Sequence, residues 1–271
     1  MIPQRSRAAA AQGILPVLAV ILLACLWPAY RALHGRSSTF SASENRLASL
    51  PHIVLWAWER PEDLRSLPAG RVGVSFLAGT LTLSAGTVRV RPRLNDLRVA
   101  PGTPLVACAR IEVDSRQPPA LSSGQAAAAS AAIASLAGLR GIAAVQVDFD
   151  ATVSERTFYA DLLRDLRRGL PPAMPISITA LASWCMDDPW IAGLPVDEAV
   201  PMLFRMGPAA ADVRVLLAQG RDFSLPVCRE SIGISTDEKV ADLPAGRRRY
   251  IFNPEGWSPG AVRALIAEEK P

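Results

Sequence analysis

From His52 onward, short apolar runs alternate with segments of helical spacing. The runs are HIVLWAWE, GRVGVSFLAG, PLVACARIEV, AAVQVDFD, PISITALASW, AVPMLFRM, LPVCRESIGI and RRYIFNPEGW. Each is rich in β-branched or aromatic residues and is of strand length. Helices are predicted between them at residues 124–139, 154–169, 209–219 and 258–268. Ser154 opens one of these helices with capping chemistry, and Ser258-Pro259 opens the last, proline being tolerated in a first turn. Nearly all-apolar strands that alternate with helices imply a parallel sheet covered on both faces. Eight of them in about 220 residues predict an α/β fold of the (β/α)8 barrel type. The stretch TLTLSAGTVRVRPRLNDL breaks the pattern and reads as a β-hairpin inserted between the second and third strands. A doubly wound open sheet is the alternative, but no glycine-rich phosphate loop follows any run.

A barrel of this kind carries its site at the C-terminal ends of its strands. There the first run has Trp56, Trp58, Glu59 and Arg60, and the third has Arg110, Glu112 and Asp114. The fourth ends in Asp148 and Asp150, the fifth in Ser183 and Trp184, and the sixth in Arg205. Arg229 and Glu230 close the seventh, and Asn253, Glu255 and Trp257 the eighth. The opposite ends are dominated by Pro, Gly and Ala. In the fourth strand Gln146, Asp148 and Asp150 share one face, and Val145, Val147 and Phe149 the other. The apolar set belongs under the helices, which puts the acids inside. A buried carboxylate must be hydrogen-bonded, paired with arginine or open to a pocket. Two close carboxylates also push each other's pKa apart, which keeps one available as an acid. Asp148 and Asp150 are therefore the catalytic candidates, with Arg110 or Arg205 as the expected ion partner of Asp148. Trp58, Arg110, Glu112, Trp184, Arg205, Glu230, Asn253 and Trp257 are the candidate substrate contacts, and the indoles among them suit stacking on sugar rings.

Composition narrows the chemistry. Histidine occurs only twice in 271 residues, at His34 and His52. A Ser-His-Asp triad, an HExxH site or a histidine-rich metal centre is excluded on that count, so acid–base work falls to carboxylates. No metal or cofactor is expected. The net charge of +4 is modest, and Arg247-Arg248-Arg249 is read as a solvated loop, not a nucleic-acid patch. Arg5 and Arg7 precede a charge-free apolar stretch over residues 8–30. Residues 1–35 are thus read as a signal peptide or membrane anchor, with Cys25 in LLAC resembling a lipoprotein cleavage box. Residues 36–50 read as a linker and 51–271 as the barrel domain. The expectation is an exported protein, held at the membrane by its N-terminus and facing the periplasm or cell exterior. An oxidising compartment would permit a disulfide, and Cys185 and Cys228 are the pair nominated, three buried thiols being the alternative.

The motifs VQVDFDA, ITALASWC and AVPMLFRMG together resemble an uncharacterised family of bacterial exported proteins, a domain of unknown function, over residues 51–257. GIAAVQVDFD is more distantly similar to the Asp-x-Asp-x-Glu strand of chitinase-like family 18 glycoside hydrolases. That resemblance implies Asp150 in the place of the Glu general acid, Asp148 as the residue that orients the substrate, and Gln146 at the preceding Asp. MLFR falls on the sixth-strand Met-x-Tyr-Asp, and Trp257 on a last-strand Trp that floors the pocket. The chain departs from that pattern: Asp150 is a methylene shorter than Glu, Phe204 lacks a hydroxyl and Arg205 reverses the sign of an acid. The expectation is a protein acting on an envelope or extracellular glycan by carboxylate chemistry. The alternative is a glycan-binding or envelope-assembly protein with a degenerate barrel site.

Overall fold

The computed structural model describes residues 46–68 and 70–268. The expected signal or anchor segment, with Cys25, lies outside the described residues. Among those described, no helix is long and apolar enough to cross a membrane.

The chain runs β1 (Ile53–Ala57), β2 (Glu62–Leu64), β3 (Val72–Ser84), β4 (Thr87–Pro92), β5 (Leu97–Val99), β6 (Leu105–Val113), α1 (Ser123–Ala137), β7 (Ile142–Asp148), α2 (Arg156–Gly169) and β8 (Ile176–Leu181). It continues through β9 (Glu198–Met202), α3 (Ala210–Ala218), β10 (Ser231–Ser235), β11 (Arg248–Phe252) and α4 (Pro259–Glu268). β1, β3, β6, β7, β8, β9, β10 and β11 are hydrogen-bonded in that order, all parallel, and β1 pairs with both β3 and β11 to close the ring. The protein is therefore a closed (β/α)8-type barrel. Its helical jacket is incomplete: a short 3-10 turn at Ala182–Cys185 and a loop join β8 to β9, and no helix joins β10 to β11.

The irregularity falls where the sequence places it. β3 overruns the barrel and folds back antiparallel onto β4 through Ser84↔Thr87. β6 follows β3 upward as far as Val113, whereas its pairing with β7 stops at Arg110↔Asp148. Arg110 thus marks the rim, and residues beyond it belong to a projecting three-stranded flap. β2 and β5 form a separate two-stranded pair beside it.

Parity along β7 works as alternation requires. Val145, Val147 and Phe149 join the outer core with Phe158, Tyr159, Leu162, Leu163 and Leu166 of α2, whose spacing makes one apolar stripe. Burying each such leucine contributes about 1.5–3 kcal/mol. The α2 start is set otherwise than expected. Ser154 does not cap it; the chain takes one 3-10 turn at Val153–Glu155, and the Glu155 carboxylate accepts both the Thr152 N–H (2.7 Å) and its hydroxyl (2.8 Å).

The closed end of the barrel is sealed by side chains from before β1. Leu47 and Leu50, inside the range read as linker, are buried against Val106 and Ala144. Arg248 Nη2 donates to the Leu47 carbonyl (3.0 Å) and Nη1 to Glu198 (2.9 Å), and the Tyr250 hydroxyl donates to the same Glu198 carboxylate (2.6 Å). A fully buried carboxylate is tolerable here because both oxygens are satisfied. Cys185 and Cys228 form a disulfide that ties the turn after β8 to the segment leading into β10. Cys108 is the free cysteine among the described residues; it is buried, and burial pushes its thiol well up.

Candidate active site

A cavity of about 720 Å³ opens at the C-terminal ends of the strands, well within the size range of small-molecule sites. Its floor is Trp56, and the sequence accounts for how so large a side chain fits inside a barrel. The strand opposite carries Gly233, where a Cβ would stand 2.9 Å from the indole Cη2. The indole Nε1 crosses the lumen to Gln146 Oε1 (2.8 Å), which also accepts from Ser75 (3.0 Å), while Gln146 Nε2 donates to Ser177 (3.0 Å). One buried glutamine therefore braces β1, β3, β7 and β8 at the level just below the acids.

Above that brace the β7 face changes from structure to site. Asp148 is buried, and both its oxygens are engaged: Oδ2 accepts from Arg110 Nη1 (2.7 Å) and Oδ1 from the Thr179 hydroxyl (2.7 Å). Of the two arginines considered as its partner, Arg110 is the one. Asp150 stands two residues beyond the end of β7, lines the cavity and accepts no hydrogen bond among the described residues. The rim strips water from part of the Asp150 carboxyl and raises its pKa above the ordinary aspartate range; the Asp148 charge adds to this and Arg110 opposes it. A fixed, paired carboxylate thus sits beside an unpaired one whose pKa is raised.

The walls are aromatic. Phe204 and Phe252 are stacked (5.9 Å, 12° between planes), Trp56 meets Phe204 edge-on (6.1 Å), and Trp58 completes the lining. Arg205 lines the mouth and lies over both phenyl rings, 5.3 Å from the Phe252 centroid and 5.9 Å from that of Phe204. Its φ of +50° is left-handed, a conformation that costs a side-chain-bearing residue about 1–2 kcal/mol.

Trp58, Arg110, Asp148, Asp150 and Arg205, all singled out from the sequence, line this cavity. Others do not. Glu112 lies two residues above Arg110 on the flap, 3.4 Å from the Arg110 guanidinium. Trp184 is buried, packing edge-on against Trp190 (5.0 Å) outside the barrel wall. Trp257, the expected floor, is buried outside β1 among Leu55, Ala57 and Val262, with its Nε1 donating to the Trp56 carbonyl (2.9 Å). It supports the floor from behind. Asn253 shapes the turn after β11, its Nδ2 donating to the Gly256 carbonyl (2.6 Å) and its Oδ1 accepting the Glu255 N–H (3.0 Å). Glu230 precedes β10 and so sits at the opposite end, because the seventh strand is Ser231–Ser235 and not the longer run read from the sequence. Thr179 and Phe252 are site residues that sequence reasoning passed over, and Phe204, placed at the motif's tyrosine position but not among the candidate contacts, also lines the cavity. Inward parity in β8 and β11, applied as it was in β7, would have found Thr179 and Phe252.

Among the described residues no cluster of three or more His, Cys, Asp or Glu side chains is placed to hold a metal ion.

Three comparisons bear on this geometry. No curated protein matches the chain. A solved structure described as "putative Chitinase A from Streptomyces coelicolor" superposes with a TM-score of 0.52, covering 80% of this chain and 96% of its own at 10% identity. At that identity the likeness shows the fold. Residues 101–203 match the family model described as a domain of unknown function (DUF3142), a segment running from β6 through β9 that contains Arg110, Asp148, Asp150 and Thr179.

Proposed function

We propose that the protein is a glycoside-hydrolase-like enzyme acting on a glycan, with Asp150 as the general acid. One observation carries this reading: an unpaired carboxyl of raised pKa sits in an aromatic-walled cavity beside a carboxylate fixed by Arg110 and Thr179. A carboxyl that holds its proton to higher pH than an ordinary aspartate is better placed to deliver it to a departing glycosidic oxygen. Trp58 offers an indole on which a sugar ring can stack, and Phe204 and Phe252 add apolar wall, leaving the hydroxyls to the polar rim. Glu230 is excluded as a second carboxylate by its place at the closed end, and Asp148 and Asp150 are the carboxylates of the lining. The scheme this favours is one in which Asp148 positions a substrate group that itself attacks the anomeric carbon. The chitinase-like neighbour supports the glycan reading at the level of fold.

Export is part of the proposal. The basic, then apolar N-terminal sequence supports it, as does the Cys185–Cys228 disulfide, a bond that persists in oxidising compartments. A second reading, a glycan-binding protein without turnover, is favoured by one feature: both Asp148 oxygens are already engaged within the protein.

The test is hydrolysis and binding of cell-wall and exopolysaccharide oligosaccharides by wild type and Asp150→Asn. Turnover falling by about 10²–10⁴-fold in the variant while binding persists is the expected result. Undiminished turnover removes Asp150 from the chemistry, and binding by wild type without turnover establishes the second reading.

A further inference from the structure

Arg205 is presented to the cavity in a way that Arg110 is not. Arg110 is committed to Asp148 (2.7 Å) and Glu112 (3.4 Å). Arg205 is the lining cation whose charge no other lining residue cancels. Its backbone N–H is taken by Glu238 Oε2 (2.9 Å), which fixes the left-handed turn, and Glu238 Oε1 is occupied by Arg214 (3.0 Å). The guanidinium itself makes one hydrogen bond, Nη2 to Asp237 Oδ2 at 3.2 Å, with both side chains about half exposed. Its other N–H donors have no acceptor among the described residues. The cation is nonetheless not loose, because it lies across the faces of Phe204 and Phe252.

We propose that the cavity takes an acidic sugar and that Arg205 grips its carboxylate, an assignment that rests on reading the cavity as a glycan site. A pyranose seated in the cavity beside the phenyl rings presents a ring carboxylate at its edge, where the guanidinium held over those rings can meet it. The planar fork of arginine, with paired parallel donors, matches a carboxylate as the point charge of lysine does not. The acids below do not forbid an anionic guest. Asp148 is covered by Arg110 and Thr179, and partial desolvation at the rim raises the Asp150 pKa, which favours its neutral form.

The left-handed φ supplies a clean test, since Arg205→Gly removes the guanidinium at a position whose backbone glycine adopts without cost. Binding is measured by calorimetry in the Asp150→Asn background, which suppresses turnover, with thermal melting as the fold control. The probes are oligogalacturonate, oligomannuronate and hyaluronan oligosaccharides against chitohexaose and cellohexaose. Expected is preferential binding of at least one acidic series, weakened tenfold or more by Arg205→Gly, intermediate in Arg205→Lys and reduced by added salt. Neutral oligosaccharides should not respond to either change. Preference for the neutral series, or acidic binding indifferent to Arg205→Gly, overturns the assignment while leaving the hydrolase reading intact. Arg205-dependent acidic binding by a wild type that hydrolyses nothing sustains the assignment and ends the hydrolase reading. Failure of every probe to bind ends both.

Discussion

Asp150 and Gly233 show how much one position can decide in this barrel. If Asp150 donates the proton, activity requires its protonated form, so the rate is lost as pH rises through its elevated pKa. The Asp148 charge contributes to that elevation, and Asp148→Asn is expected to move the alkaline limb of the pH–rate profile to lower pH. In Asp150→Asn the limb should vanish with the activity. A limb that stays in place in both variants belongs to another group. Gly233 is a packing requirement, since a Cβ there meets Trp56 Cη2 at 2.9 Å. Gly233→Ala should cost about 1–3 kcal/mol by denaturant titration, and a smaller side chain in place of Trp56 should recover part of it. Residue-level reading of the sequence went furthest on β7, where alternation alone separated Val145 and Val147 from Gln146 and Asp148. It failed for Trp184 and Trp257. An indole near a strand end is written the same way whether it faces the lumen or the jacket, and one residue of register decides which.

At the scale of elements, existence was more legible than boundaries. Each of the eight barrel strands and four helices overlaps an apolar run or helical segment that the pattern marks, although β3 continues to Ser84, past the end of its run, and the hairpin after β3 is where TLTLSAGTVRV breaks the alternation of strand and helix. The seventh strand was misplaced because LPVC is as apolar as a strand, yet Pro226–Cys228 forms a 3-10 turn packed down by the disulfide. That error carried Glu230 to the wrong end. The α2 start was misplaced by two residues for a different reason: Thr152, Ser154 and Glu155 all have capping chemistry, and the sequence does not say which oxygen the chain uses. Since Glu155 takes both Thr152 donors, Glu155→Ala should destabilise the protein by about 1 kcal/mol, whereas Ser154→Ala should change the melting temperature little. Equal losses in the two variants would return the cap to Ser154.

For the molecule as a whole, closure depends on contacts between distant parts of the chain. The disulfide spans 43 residues, and removing it by Cys185→Ser with Cys228→Ser should lower stability by about 2–5 kcal/mol. Melting in reducing buffer should match that double variant; an unchanged melting temperature would mean that the jacket alone holds the gap between β8 and β10. A second long-range contact has a directional consequence. Leu47 and Leu50 plug the closed end, and Arg248 fastens the plug by its backbone. A bead or carrier protein attached ahead of Arg46 therefore holds the barrel by its base, with the mouth turned outward like a cup on its stem. Long, branched or insoluble chains could then reach the cavity end-on without threading past the point of attachment.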